Sequence, residues 1–243
     1  IREWLGGPEA TALGMFAGCM LAILTCGGLG LFSGTMVAFF GVPPFVASLG
    51  MMMVASGLAY MLSGGLSIYQ LPESFEWLGR GDDLAGIPNA VVLMIILYFL
   101  AHLLMSRTTA GRYVYAVGGN SEAARLSGVP VKRILLWVYA GSGALAGLGG
   151  MVMASQFRSG DPKYGLMYEL YVIAAVVVGG TSLSGGRGKV FGTLIGAFII
   201  AVIQNGMNLT GVQSYTQKVV LGLVLLAAVL LDMLKKRGWK LSS

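Results

Sequence analysis

Glycine, serine, threonine and a lysine crowded between two apolar runs are the materials of a phosphate cradle. Residues 179–197, GGTSLSGGRGKVFGTLIGA, supply all of them. A P-loop, however, sets four residues between its first glycine and a Gly-Lys-Ser/Thr end, so that backbone N–H groups wrap the phosphates and the hydroxyl reaches Mg2+. Here Lys189 is followed by Val190, and the flanks Val172–Val178 and Val190–Ile203 are apolar rather than soluble strand and helix. Glycines in that setting serve close backbone approach between packed membrane helices, and Gly179, Gly180, Gly185, Gly186, Gly192 and Gly196 are read that way. Other chemistries find less support. His102 is the single histidine, and no Cys/His cluster has metal-ligand spacing. Cys19 and Cys26 stand seven apart in one apolar run. That is about two helical turns, roughly 10 Å of rise, too far for a disulfide within a straight helix, so both read as small core residues. With no paired catalytic carboxylates and no nucleophile–base constellation, the chain reads as a transport component, not an enzyme, with no metal and no cofactor of its own.

Composition points the same way. Of 243 residues, 56% are hydrophobic and only 11% charged, with a mean hydropathy of +0.79. A soluble domain carries about 25% charged residues. The 38 glycines and 14 methionines suit tightly packed, adaptable membrane helices. A net charge of +6 belongs to cytoplasmic-loop lysines and arginines here, so no nucleic-acid partner is expected. A signal peptide is not expected at the start of the sequence, since Ile1 is not an initiator methionine and Arg2 and Glu3 lead into a glycine turn.

These residues must be positioned by membrane helices. A bilayer core of about 30 Å needs around 20 apolar residues per helix. Seven segments qualify, near 10–39, 45–63, 88–106, 133–154, 165–185, 190–209 and 217–234. The expected fold is an all-α polytopic helix bundle, one transmembrane domain over residues 1–243. Pro43-Pro44 breaks the chain after the first span, because proline lacks an N–H and restricts its predecessor. The fifth segment is the shortest in apolar content, Tyr171–Val178 behind Glu169, and reads as a crossing, broken or re-entrant element.

Charge sets the orientation. Loop 107–133 holds Arg107, Arg112, Arg125, Lys132 and Arg133 against Glu122 alone, and the tail holds Lys235, Lys236, Arg237 and Lys240. Both are assigned to the cytoplasm. Loop 64–87, with Glu73, Glu76, Asp82 and Asp83 against Arg80, is assigned outside, as a periplasmic loop. These assignments agree only if the fifth segment crosses. They also start residue 1 outside, which upstream spans, odd in number, would explain.

Three passages together resemble the sugar permeases of ATP-binding-cassette (ABC) importers of the ribose, xylose and galactose type. They are PPFVASLGMMMVASGLAYMLSGG at 43–65, GRYVYAVGGNSEAARLSGV at 111–129, and GGTSLSGGRGKVFGTLIGAFIIAVIQNGMNLTGV from Gly179 onward. The resemblance runs from about residue 10 to residue 237. Family members are longer, with about ten spans and a GGIDLS-like motif near the N-terminus that is absent here, as in a fragment or a shortened member. The resemblance implies a bacterial inner-membrane, multi-pass protein. It implies as partners a cytoplasmic ABC ATPase that carries ATP and Mg, a periplasmic sugar-binding protein, a second permease subunit in a homodimer or heterodimer, and membrane lipid.

Glu122-Ala123-Ala124 followed by Gly128 resembles the first half of the EAA-type coupling motif of such permeases, without the Ile-x-Leu-Pro half. Physically, Asn120 or Ser121 can cap a short helix whose first turn carries Glu122, where the helix dipole favours an acid. Ala123 and Ala124 are small enough to seat in a groove on an ATPase, Gly128 would end the helix and Pro130 would start the next. Glu122 and Arg125, three apart, can pair. The bland alternative is an ordinary capped loop helix. Gln204, Asn205 and Asn208 late in the sixth span are candidates for hydrogen-bonding a sugar in the path, or for bonding between helices. Ser48 and Met52 share a face of the second span with Ser56 and are candidates for a weakly polar lining, or for plain packing. His102 is read as an interfacial hydrogen-bonding residue. The glycine pairs 14/18, 30/34, 143/147 and 192/196 read as helix contacts, and Trp4, Trp77, Trp137 and Trp239 as interfacial aromatics. A branched-chain amino-acid permease of the related class is the runner-up. A secondary transporter comes after it, because the spans lack the ionisable residues it would use.

The orientation is testable with single cysteines on a background of Cys19→Ser and Cys26→Ser. Asp83→Cys should react with a membrane-impermeant maleimide on intact spheroplasts. Ser121→Cys should react only after permeabilisation. The reverse labelling pattern would invert the assignment.

Overall fold

The computed structural model describes residues 12–69, 71–83 and 86–241. Trp4 and the glycine turn after Glu3 lie outside the described residues, as do the side chains of Trp239 and of the basic tail Lys235, Lys236, Arg237 and Lys240. The elements are helices: α1 Ala12–Phe40, α2 Pro44–Ser63, α3 Glu76–Arg80, α4 Asn89–Arg107, α5 Thr109–Gly119, α6 Ser121–Leu126, α7 Val131–Phe157, α8 Tyr168–Val178, α9 Val190–Leu209 and α10 Ser214–Leu241. Among the described residues five of them, α1, α2, α4, α7 and α9, are long and apolar enough to cross a membrane. At most 11% of any of these spans is buried within the chain. Most of their apolar surface is therefore left open to lipid or other protein.

Two expectations on spans are revised. The fifth segment is not a full-length helix over 165–185 but the 11-residue α8. Eleven residues rise about 16 Å, half of what the bilayer core requires. Its limits are set by backbone with positive φ: Gly165 at 79° and Met167 at 71° before it, and Gly180 at 84° after it. The seventh segment lies in a longer helix than 217–234, since α10 runs for 28 residues. The other five segments agree with α1, α2, α4, α7 and α9 to within a few residues at each end.

The chain divides into two compact units. The first comprises residues 1–96 and 130–164. Here α1 lies along α7, and glycines bring them together. A Cβ added at Gly30 would overlap the Tyr139 carbonyl, one at Gly143 the Cys26 carbonyl, and one at Gly147 would sit 2.9 Å from the Cys26 Cβ. Thus Gly30 of the 30/34 pair and Gly143 of the 143/147 pair, singled out separately in sequence, meet each other. Cys26 is half-buried at this contact, and both cysteines are free. Pro43 and Pro44 start α2, as their missing N–H groups require. At the C-terminal end of α7, Ser155 is fully buried. Its hydroxyl donates to the Phe75 carbonyl at 2.5 Å and accepts from the Gly79 N–H at 2.8 Å. Arg80 donates to the Gln156 carbonyl at 2.8 Å, and Arg158 pairs with Glu76. Backbone bonds between Ile68 and Gly160 at 2.7 and 2.9 Å complete the seam. Loop 64–87 is thereby fastened to the segment after α7. Asp161 belongs to the same seam. The Ser67 hydroxyl, 2.5 Å away, and then the Lys163 N–H hold its carboxyl below the usual range.

The second unit comprises residues 97–129 and 165–243. Its centre is the crossing of α8 and α9, with α10 against α8. Ala174, Ala175, Ile200 and Leu221 form its buried cluster. At the crossing the separation is set by backbone. A Cβ at Gly196 would run into the Ala175 carbonyl and lie 2.7 Å from the Gly179 N, while Gly179 and Gly192 each face the other's carbonyl.

Gly196→Ala should therefore lower the melting temperature of the detergent-solubilised protein by several degrees, an overpacking cost of about 1–3 kcal/mol. Gly206→Ala lies in the same helix, where an added Cβ meets nothing within 4 Å, and should leave melting unchanged or slightly raised. Equal melting of the two variants would contradict the crossing.

Candidate functional site

The site is built outward from the sharp turn after α4. Thr108 accepts from the Gly111 N–H at 3.2 Å and donates to the Leu104 carbonyl at 2.6 Å, capping α5 while closing α4. Gly111 is buried, because any side chain there would strike the Leu104 and Met105 carbonyls. Helix α5 then runs to Asn120, which serves two helices at once. Its N–H bonds to the Ala116 carbonyl at 3.0 Å. Its side-chain oxygen accepts from Glu122 and Ala123 at 3.1 and 3.0 Å. Asn120, rather than Ser121, is therefore the N-cap of α6.

The end of α6 is equally defined. Gly128 takes φ 83°. Its N–H bonds to the Arg125 carbonyl and the Val129 N–H to the Ala124 carbonyl, each at 3.0 Å. This is the paired closure that a left-handed glycine permits. Pro130 precedes α7 as its N-cap. Of the two alanines, Ala124 is buried and fixes α6 to the protein, while Ala123 is exposed. The outward face carries Glu122, Arg125 and Leu126, the last 76% exposed. Glu122 and Arg125 form a two-point pair at 2.6 and 3.0 Å. The hydrogen bond and then the charge of Arg125 hold the Glu122 carboxyl below its usual range, and the same pair pushes Arg125 up. A depressed carboxylate supports the helix at every pH above its ordinary range and loses that support as acid protonates it, so the face stays zwitterionic at neutral pH.

The glycine-rich connector joins this site, which its sequence did not announce. The Tyr115 hydroxyl donates to the Gly188 carbonyl at 2.9 Å. A Cβ at Gly118 would lie 2.8 Å from the Gly186 N, and one at Gly186 would lie 2.6 Å from the Gly119 Cα. Gly185, at φ 82°, faces the Gly118 carbonyl. The six glycines thus divide by role. Gly179, Gly192 and Gly196 make the α8–α9 crossing. Gly185 and Gly186 meet the end of α5 instead of another spanning helix. Gly180 is a turn residue around which an added Cβ finds open space. The connector's contact with α5 also returns the chain after α8 to the side that the charge count assigns to the cytoplasm.

The remaining candidates are dispersed. Asn208 accepts from Gln217 of α10 at 2.9 Å, a bond between helices. Gln204 is half-buried and Asn205 exposed on α9. Ser48 bonds to the Phe45 carbonyl of its own helix at 3.0 Å, and Met52 is exposed on α2, which buries no residue. His102 meets Phe191 of α9 with ring centroids 4.6 Å apart. No group of three or more metal-ligating side chains is gathered among the described residues.

Comparison with known proteins bears on this arrangement. A family model described as the permease component of the branched-chain amino acid transport system matches residues 5–229. The ribose import permease of Escherichia coli K12 is 39% identical over 235 residues, 93% of this chain and 73% of that protein. The ribose import permease of Bacillus subtilis is 46% identical over 191 residues, covering 78% and 59% of the two chains. The L-arabinose transport system permease of E. coli K12 is 38% identical over 206 residues, 85% and 62%. No solved structure matches.

Asn120→Ala should fray α6, since losing such a cap costs about 1 kcal/mol. Amide exchange over residues 121–127 should quicken about fivefold, with Asn120→Asp restoring protection. Exchange unchanged in Asn120→Ala would mean that α6 does not depend on its cap.

Proposed function

The chain belongs to this transport-permease family, and we propose that it is the membrane-spanning subunit of an ABC importer that moves a monosaccharide or similar small neutral solute into the cytoplasm across a bacterial inner membrane. The observation that carries the reading is α6, a six-residue helix capped at both ends that offers Glu122, Arg125 and Leu126 outward. An exposed leucine beside a fixed ion pair makes a small docking face with both apolar and charged recognition.

In this reading a separate cytoplasmic ATPase, carrying ATP and Mg, docks on α6 and performs the hydrolysis, and the permease needs no cofactor of its own. A second permease subunit completes the path. A periplasmic binding protein delivers the solute to loops 64–87 and 155–168. The fastened seam of Ser155, Gly79, Phe75 and Asp161 gives those loops a fixed shape for docking. Residues 1–243 act as one permease domain, with 107–133 as its cytoplasmic coupling loop. The named substrates of the relatives favour a sugar, and so do α1, α2 and α9, which contain no charged residue. A neutral polyol crosses such a path without desolvating against fixed charge. Ser48, Met52, Gln204, Asn205 and Asn208 are the residues we assign to its lining. A branched-chain amino acid is the second reading. The family description favours it, as does the half-length α8, because the N-terminal end of a short helix can meet a carboxylate.

Affinity purification of the tagged permease from membranes tests the reading. An ABC ATPase should co-purify with the parent chain and be lost with Glu122→Arg, which turns the ion pair into like-charge repulsion. Absence of any ATPase from the parent would sink the proposal in favour of a secondary carrier.

A further inference from the structure

The contact between α5 and the glycine-rich connector is made by backbone. Gly118 and Gly119 abut Gly185 and Gly186, and a methyl group at any of Gly118, Gly185 or Gly186 would overlap the opposite chain. Tyr115 adds a hydrogen bond from its hydroxyl to the Gly188 carbonyl, across 73 residues of sequence. We propose that this contact transmits movement of α6 to the α8–α9 crossing, with Tyr115 as a positioning residue for coupled transport. The inference rests on the reading of α6 as the ATPase-docking helix.

Three features make the contact a lever rather than a spacer. At the input, Asn120 closes α5 with its backbone and caps α6 with its side chain, so a tilt of α6 is carried to the end of α5. At the contact, two backbones touch without side chains between them. A displacement cannot be absorbed by rotamer changes, as it would be between flexible side chains. At the output, the connector is stiff and short. The Ser182 N–H bonds to the Arg187 carbonyl at 3.0 Å and the Gly185 N–H to the Ser182 carbonyl at 3.1 Å. Thr181 packs on Gly188, where an added Cβ would lie 2.7 Å from its methyl and hydroxyl. The connector's ends are Gly179, the C-cap of α8, and Lys189, the N-cap of α9. Movement at Gly186 is thus delivered to the two helices whose separation is fixed by Gly179, Gly192 and Gly196. A purely structural contact predicts a different outcome.

The test uses proteoliposomes that hold the permease with its co-purified ATPase and binding protein. Uptake of labelled D-ribose and L-arabinose is measured beside ATP hydrolysis. Tyr115→Phe keeps the ring and removes the hydroxyl. Gly186→Ala inserts a methyl into the contact at φ 71°, and Gly180→Ala puts comparable strain, φ 84°, into the same connector where an added Cβ meets nothing within 4 Å. Tyr115→Phe and Gly186→Ala should retain the ATPase and its basal hydrolysis while sugar moved per ATP falls about fivefold or more, the scale of one lost hydrogen bond. Gly180→Ala should stay near the parent. Parent-like uptake by Tyr115→Phe and Gly186→Ala would overturn the inference. So would an equal loss in Gly180→Ala, which would make strain the cause, or a loss of bound ATPase in step with uptake, which would make the contact structural. A parent chain that recruits no ATPase overturns the functional reading, and this inference with it.

Discussion

Helices in lipid gain little from hiding apolar surface against one another, because the surrounding acyl chains are as apolar as leucine. What remains is van der Waals contact at the shortest range, and that range is limited by the Cβ. This constraint organises the protein. The crossing of α8 and α9 at Gly179, Gly192 and Gly196, the pairing of α1 with α7 at Gly30 and Gly143, and the seating of the connector on α5 at Gly118 and Gly186 are all approaches that an alanine would obstruct. The five spanning helices otherwise bury almost nothing within the chain. The described helices are held by a few close approaches and leave broad apolar surfaces exposed.

Polar groups are used sparingly and at the ends. One seam, with Ser155 fully buried at its centre, ties loop 64–87 to the segment after α7. Another, from Thr108 through Asn120 to Gly128, turns the chain sharply out of α4 and ends in the exposed face of α6. Helices α1, α2 and α9 are free of charge. Uncharged spans suit a permease for a neutral solute.

Much of this was legible in the sequence, for identifiable reasons. Span length and hydropathy located α1, α2, α4, α7 and α9, since the bilayer imposes a length that composition reveals. Asn120 and Gly128 marked α6 because capping chemistry is local. The break of α8 was only half legible. Glu169 and the short apolar run Tyr171–Val178 pointed to it, whereas the left-handed Met167 that precedes the helix has no sequence signature. The connector's partner was hidden, because a glycine reports room for a neighbouring backbone and not which backbone arrives. The Gly118-Gly119 and Gly185-Gly186 pairs are the only hint that each needs an uncrowded counterpart. Asn208 was ambiguous for the same reason: Gln217 meets it from another helix.

In the proposed function, ATP hydrolysis by a separate subunit drives a neutral sugar through this permease. Its most direct test is counter-gradient uptake of labelled D-ribose and L-arabinose into proteoliposomes containing the complete transporter, with ATP supplied on the side of α6 and no ion gradient. Accumulation that requires both ATP and the binding protein is the predicted result. Accumulation driven by a proton or sodium gradient without ATP would contradict the account.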